Sequence, residues 1–273
     1  MRDLWRLLRL PNLGIAAAGV LAGGWIALAR VSLPRPLGWA ALAALGLGAF
    51  ANVLDDLWDE PADRINARAD RPLAAGRLDR GIAHLWVFWG LVVGLAASAL
   101  VGGWAVAAAA AALVVMALYA PVLKPRGLAG NVTVGVVAGF PLCFGALAVG
   151  RPGAGVVPWI IAAWLHLGRE IVKDVLDLIG DRASGRRTLP VALGEARARR
   201  IAVAILISFA AVSLGLPALA GYHGVYFAAV APALVLVALA IRALRRGAAA
   251  GASGLLKGAM VIGVAALVLG RIA

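Results

Sequence analysis

Hydrophobic runs long enough to cross a bilayer recur nine times along this chain, and that recurrence limits its fold more than any other feature. A spanning helix needs about 20 mostly apolar residues. Such runs fall at about 12–31, 36–55, 82–101, 103–121, 129–149, 155–174, 200–219, 223–242 and 255–272. Hydrophobic residues make up 63% of the 273 and charged residues 14%, where soluble domains carry about 25% charged. Mean hydropathy is +0.94. A water-soluble fold of this size cannot hide so much apolar surface. In lipid, helices satisfy their own backbone polar groups, and the 34 glycines let such helices approach closely. The expectation is an all-α, polytopic membrane protein of about nine transmembrane helices, a single domain over residues 1–273, with polar loops at 57–80 and 177–199.

Charge gives the orientation. Arg2, Arg6 and Arg9 precede the first run, which is long enough to span and is read as a membrane helix rather than a signal peptide. With the N-terminus in the cytoplasm, all but Arg30, Arg35, Arg151 and Arg271 of the 26 Lys and Arg residues fall on the cytoplasmic side, as the positive-inside rule requires. The net charge of +13 is then read as a face for anionic headgroups and a polyanionic substrate. No nucleic-acid partner and no required protein partner is expected. One cysteine, Cys143, and three scattered histidines, His84, His166 and His223, argue against a disulfide or a zinc site.

The acids are more informative. All thirteen lie on the same side in this topology, and all but Asp3, Asp79 and Glu195 fall in two stretches. The first holds Asp55, Asp56, Asp59, Glu60, Asp63 and Asp70; the second holds Glu170, Asp174, Asp177 and Asp181. Asp55, Asp59 and Asp63 are spaced four apart, and Asp174, Asp177 and Asp181 three and four apart, so each set shares one helical face. Asn52, Asp56 and Glu60 form a second possible column. A carboxylate in a membrane helix costs about 2.5–3.5 kcal/mol on insertion scales, and like charges in a column repel. A hard divalent cation relieves both, and Mg²⁺ takes one or two carboxylates and completes its shell with water and phosphate oxygens. Arg68, Arg71, Lys124, Arg126, Arg169, Lys173, Arg186 and Arg187 stand nearby as phosphate ligands.

The stretch Asp55-Asp56-Leu-Trp-Asp59-x-x-x-Asp63-x-x-Asn66 with Arg71-Pro72, and the stretch Asp174-x-x-Asp177-x-x-Gly180-Asp181 with Gly185-Arg-Arg-Thr188-Leu-Pro190, resemble the two motifs of the UbiA superfamily of intramembrane prenyltransferases. Tyr119 and Lys124 resemble its Tyr–Lys pair, with one residue more between them. The likeness runs from about Leu10 to Gly194. Asp55 stands where the family usually has Asn. The resemblance implies nine helices around a central cavity, Mg²⁺ as cofactor, and a prenyl diphosphate as donor. It implies metal ligation by Asp55, Asp59, Asp63, Asp174, Asp177 and Asp181. It implies catalytic roles for Asp59, Asp63, Asp174, Asp181, Tyr119 and Lys124, and diphosphate binding by Asn66, Arg68, Arg71, Lys124, Arg169, Lys173 and Arg187. Trp58 reads as an interfacial anchor.

Arg169-Glu-Ile-Val-Lys-Asp174 and Leu10-Pro11-Asn12 are most similar to the branch that prenylates geranylgeranylglycerol phosphate. A lipid acceptor is therefore expected, with an aromatic quinone precursor as the alternative. An ion-coupled transporter is the non-enzyme alternative; its acids would usually lie near the bilayer midplane at broken helices. The expected location is the cell membrane, with the active site facing the cytoplasm.

Overall fold

Each apolar run folds as a helix because lipid-facing carbonyls and amides have no water to turn to and must pair within their own segment; even the prolines inside helices, Pro61, Pro141, Pro217 and Pro232, do not end them. The computed structural model, which describes residues 1–273, contains eleven α-helices and no strand. They are α1 (Arg2–Leu8), α2 (Leu10–Leu28), α3 (Arg35–Ile65), α4 (Arg80–Val101), α5 (Gly103–Leu118), α6 (Leu128–Ala148), α7 (Val156–Ala183), α8 (Leu189–Leu193), α9 (Glu195–Leu219), α10 (Gly224–Arg245) and α11 (Ala249–Ile272). Helices α2 to α7 and α9 to α11 supply nine segments long and apolar enough to span, as the sequence predicts. The α4–α5 hairpin turns at Gly102, whose φ of 144° is open to glycine.

The segments 57–80 and 177–199, expected as loops, are not loops throughout. Helix α3 continues to Ile65 and α7 to Ala183, while α8 and the start of α9 take up much of the second segment. Spans at 36–55 and 155–174 end where hydropathy falls, but a helix need not stop there, so the acidic motifs stay helical. The fourth span, expected at 103–121, runs over Gly103–Arg126 and closes in a π-helical turn at Tyr119–Leu123 and a 3₁₀ turn at Lys124–Arg126.

Packing divides the wall from the core. Helix α2 lies against α3, α6 and α11; α3 packs on α4, α6 on α7, α7 on α9, and α10 on α11. The largest buried apolar cluster joins α7 and α9–α11 around Ile171, Leu206, Tyr226, Leu244 and Leu256. Large apolar side chains remain outside on the periphery, among them Phe88, Trp89, Trp104 and Leu219. That pattern suits lipid as solvent.

The α2–α6 crossing is the tightest in the bundle. A Cβ at Gly145 would sit 1.8 Å from the Val20 carbonyl oxygen, and one at Gly23 would sit 1.9 Å from that of Leu142. Only glycine permits this approach. Gly145→Ala is expected to destabilise the protein by about 1–3 kcal/mol, as overpacking does. Gly215→Ala, where nothing lies within 4 Å, should leave the melting temperature unchanged or slightly raised. Thermal unfolding of both variants in detergent checks the pair.

Candidate active site

Helices α3 and α7 carry the two acidic motifs, and their inner ends meet. Asn66, which closes α3, accepts a hydrogen bond from the Gly180 backbone N–H of α7 at 2.8 Å through its Oδ1, and its Nδ2 donates to the Asp177 carbonyl at 3.5 Å. Gly180 makes the contact possible: a Cβ there would fall 2.2 Å from Asn66 Nδ2 and 2.6 Å from the Ala62 carbonyl oxygen. Arg68, just beyond α3, adds an ion pair to Asp177 at 2.9 Å. The glycine preceding Asp181 is thus a docking point between the motifs.

Beneath this junction lies a cavity of about 610 Å³ lined by α2, α3, α5, α6, α7 and α11. One end is charged. Asp55, Asp59, Asp63, Asp174 and Asp177 reach it, with Arg9, Arg71, Tyr119, Lys124, Arg169 and Lys173. Glu170, His166 and Lys257 also line it, and the rest is mostly apolar, with Ile15, Val20, Val115, Met116, Phe140 and Leu142 on its walls. Of the two possible columns on α3, all three members of Asp55, Asp59 and Asp63 face the cavity. Asp56 and Glu60 do not, and only Asn52 of the second column does.

Every buried carboxylate here has a cationic or amide partner. Lys124 Nζ lies 2.6 Å from Asp59, and Arg186 Nη1 2.5 Å from the same carboxylate. Arg186 also stands 3.6 Å from Asp181. Asn131 on α6 donates to Asp174 at 2.7 Å. Arg9 bonds Asp55 at 3.1 Å and also Asp56, which takes a second bond from Arg71 at 2.8 Å. Burial would lower the Arg9 guanidinium, but the Asp56 and Asp55 carboxylates more than reverse this and hold it above the ordinary arginine range. Arg186 behaves alike: burial opposes its charge, and Asp59 raises it. Hydrogen bonding to Asp70 likewise raises Arg68. The additional residue between Tyr119 and Lys124 is taken up by the π-helical turn, a feature frequent at functional sites, and Lys124 still reaches Asp59.

Several sequence assignments change in detail. Asn66 joins α3 to α7 rather than facing the cavity, and Arg68 is engaged by Asp177 and Asp70. Arg187 is exposed and borders neither the cavity nor any carboxylate, whereas its neighbour Arg186, also outside the cavity lining, pairs with Asp59 and Asp181. Asp181 is 1% exposed and sits behind the cavity wall, against Arg186. Trp58 is half exposed, as an interfacial residue should be. Arg9 and Asn131 escaped sequence reasoning. Arg9 reads in sequence as one of three basic residues ahead of the first span, and Asn131 as one amide in an apolar run, so neither spacing marks a partner for the motif carboxylates.

No three acidic, histidine or cysteine side chains converge into a closed cation cage. Yet Asp55 Oδ1, on the cavity wall, is buried without a hydrogen-bond partner, a hard oxygen donor of the type Mg²⁺ prefers.

Comparison with known proteins gives a consistent result. The profile of the UbiA prenyltransferase family matches residues 16–269. The digeranylgeranylglyceryl phosphate synthase of Halobacterium salinarum is 38% identical over 274 residues, covering 99% of this chain and 98% of that protein. A solved structure of digeranylgeranylglyceryl phosphate synthase superposes with a TM-score of 0.76 at 26% identity, covering 100% of this chain and 99% of that one. A UbiA homolog from Archaeoglobus fulgidus bound to GPP and Mg²⁺ shares the fold, with a TM-score of 0.71 at 17% identity over 97% of this chain and 99% of that one.

Arg9→Ala should leave Asp56, which is 2% exposed, with Arg71 alone. The loss in stability is expected near the lower end of the roughly 3–5 kcal/mol typical when one partner of a buried ion pair is removed. Arg9→Lys should recover part of it. Thermal denaturation in detergent measures both.

Proposed function

The chain belongs to the UbiA prenyltransferase family, and we propose that it transfers a geranylgeranyl group from its diphosphate to a glyceryl phosphate lipid, with Mg²⁺ as cofactor. The observation that carries this reading is the cavity's division into a charged end, built from both motifs, and an apolar body between helices. A prenyl diphosphate has the same division. The names of the relatives, which describe a phospholipid product, favour a lipid acceptor over an aromatic one.

In this reading Asp55, Asp59 and Asp63 of α3 and Asp174 and Asp177 of α7 would hold Mg²⁺ beside the donor's diphosphate, and Asp181 would support them from behind through Arg186. The open, oxygen-only donor set fits an ion that brings water and phosphate to its shell. When bound, Mg²⁺ would supply positive charge against the departing diphosphate. Lys124 and Arg71, both on the cavity wall, turn from their carboxylate partners toward the phosphate oxygens and stabilise the negative charge that grows as the C–O bond breaks. The bond that forms joins the donor's C1 to the acceptor oxygen, and the hydroxyl proton leaves with the diphosphate or solvent. Tyr119, on the cavity wall, offers its ring face to positive charge developing on the allylic carbon. The apolar helices around the tail keep out water, which would otherwise capture that carbon.

The same reading places the active site on the cytoplasmic side of the cell membrane. Its support is the bias of arginine and lysine toward the helix ends that carry the motifs.

Purified protein given labelled geranylgeranyl diphosphate, a polyprenylglyceryl phosphate and Mg²⁺ should form the diether lipid and release diphosphate. EDTA should stop the reaction and added Mg²⁺ restore it. Asp59→Ala and Asp181→Ala should each lower kcat by about 10²–10³-fold, the range for losing one element of electrostatic stabilisation. Wild-type turnover in both variants would end the proposal.

A further inference from the structure

The charged end of the cavity has a second cationic group, apart from the cations that bind the motif carboxylates. Arg169 and Lys173 lie one turn apart on α7 and share a face. Lys257 of α11 lines the same cavity, eight residues into its helix, which is about 12 Å at the α-helical rise. Glu170 is the only acid paired within this group; it is 5% exposed, takes Lys173 at 2.8 Å and stands 3.8 Å from Arg169. Lys257 has no carboxylate within ion-pair distance, unlike Lys124, which is committed to Asp59. Lys257 shares the cavity with the cations Arg169, Lys173, Arg9 and Arg71. The Nε of Arg169 is buried without an acceptor. Three cations against one carboxylate, with one donor unused, match an anion of about two negative charges, the charge of a phosphomonoester at neutral pH.

We propose that Arg169, Lys173 and Lys257 form the subsite for the phosphate group of the acceptor lipid, separate from the site of the donor's diphosphate. This rests on the lipid-acceptor reading above and deepens it. It moves Arg169 and Lys173, which sequence reasoning assigned to the diphosphate, to the other substrate. The position suits the chemistry. In a glyceryl phosphate lipid the phosphate and the reacting hydroxyl belong to one three-carbon unit, so the acceptor subsite must adjoin the donor site. Lys173 is the chain neighbour of Asp174, which faces the donor end. Guanidinium and ammonium groups from two helices can grip a terminal phosphate from different sides. An aromatic acceptor without a phosphate would leave this cation group unmatched. The subsite thereby selects for the phosphorylated lipid.

The test uses the full-length protein in detergent with labelled geranylgeranyl diphosphate. The acceptor is a polyprenylglyceryl phosphate or the same lipid without its phosphate. Lys257→Gln should raise the KM for the phosphorylated acceptor at least about tenfold, as expected for losing a hydrogen bond to a charged group. The KM for the donor should not move, and Lys257→Arg should stay near wild type. On the dephosphorylated lipid, wild type and Lys257→Gln should be equally poor. An acceptor KM within twofold of wild type in Lys257→Gln, or equal losses on both lipids, would overturn the subsite. If the wild-type enzyme itself prenylated neither lipid but accepted an aromatic acid, the lipid-acceptor reading would fall, and the subsite with it.

Discussion

A cluster of carboxylates at the edge of a membrane needs partners, and the fold is organised around supplying them. Ten acidic residues sit in two short stretches of a chain that is 63% hydrophobic. Each would be costly alone in such surroundings. The fold meets that cost with fixed cations brought from distant segments: Arg9 ahead of α2, Arg71 after α3, Lys124 after α5, and Arg186 after α7. Four connections that look unrelated in sequence therefore converge on α3 and α7. The arrangement is also poised. Cations already placed among carboxylates need to move little to meet a diphosphate, and the carboxylates they release become available to a metal.

The same economy explains the helix packing. Glycine at 145 lets α2 and α6 nearly touch, which fixes the position of α2 on the cavity wall. Glycine at 180 lets α7 press on the end of α3, where Asn66 bridges the two. The cavity lies between these helices, with α5 and α11 completing its wall.

Much of this was legible in the sequence, for physical reasons. Bilayer thickness sets the length of an apolar run, so all nine spans could be located. The spacing of Asp55, Asp59 and Asp63 was readable because a helix repeats every 3.6 residues, and the cavity does receive that column. The ends of α3 and α7 were not readable. Hydropathy reports where lipid stops, whereas backbone hydrogen bonding continues through a polar segment as easily as through an apolar one. Arg9, Asn131 and Arg186 were also out of reach as partners. A contact between helices leaves no periodic trace when each contributes one residue. Arg187 was preferred to Arg186 because only the chain order was visible, and one residue of shift decides which side chain faces inward. Lys257 lay beyond the motif stretches, and only packing of α11 beside α2 and α7 brings it to the site.

The proposed joint grip of α3 and α7 on the metal and the donor's diphosphate, in place of a closed carboxylate cage, can be measured by pulsed EPR with Mn²⁺ substituted for Mg²⁺ and a non-reactive thiolo analogue of the prenyl diphosphate. Mn²⁺ should bind the protein alone weakly and bind tightly once the analogue is added, with ³¹P hyperfine coupling in the bound state that disappears in Asp59→Ala and Asp177→Ala. Tight Mn²⁺ binding without the analogue, or bound Mn²⁺ without phosphorus coupling, would rule it out.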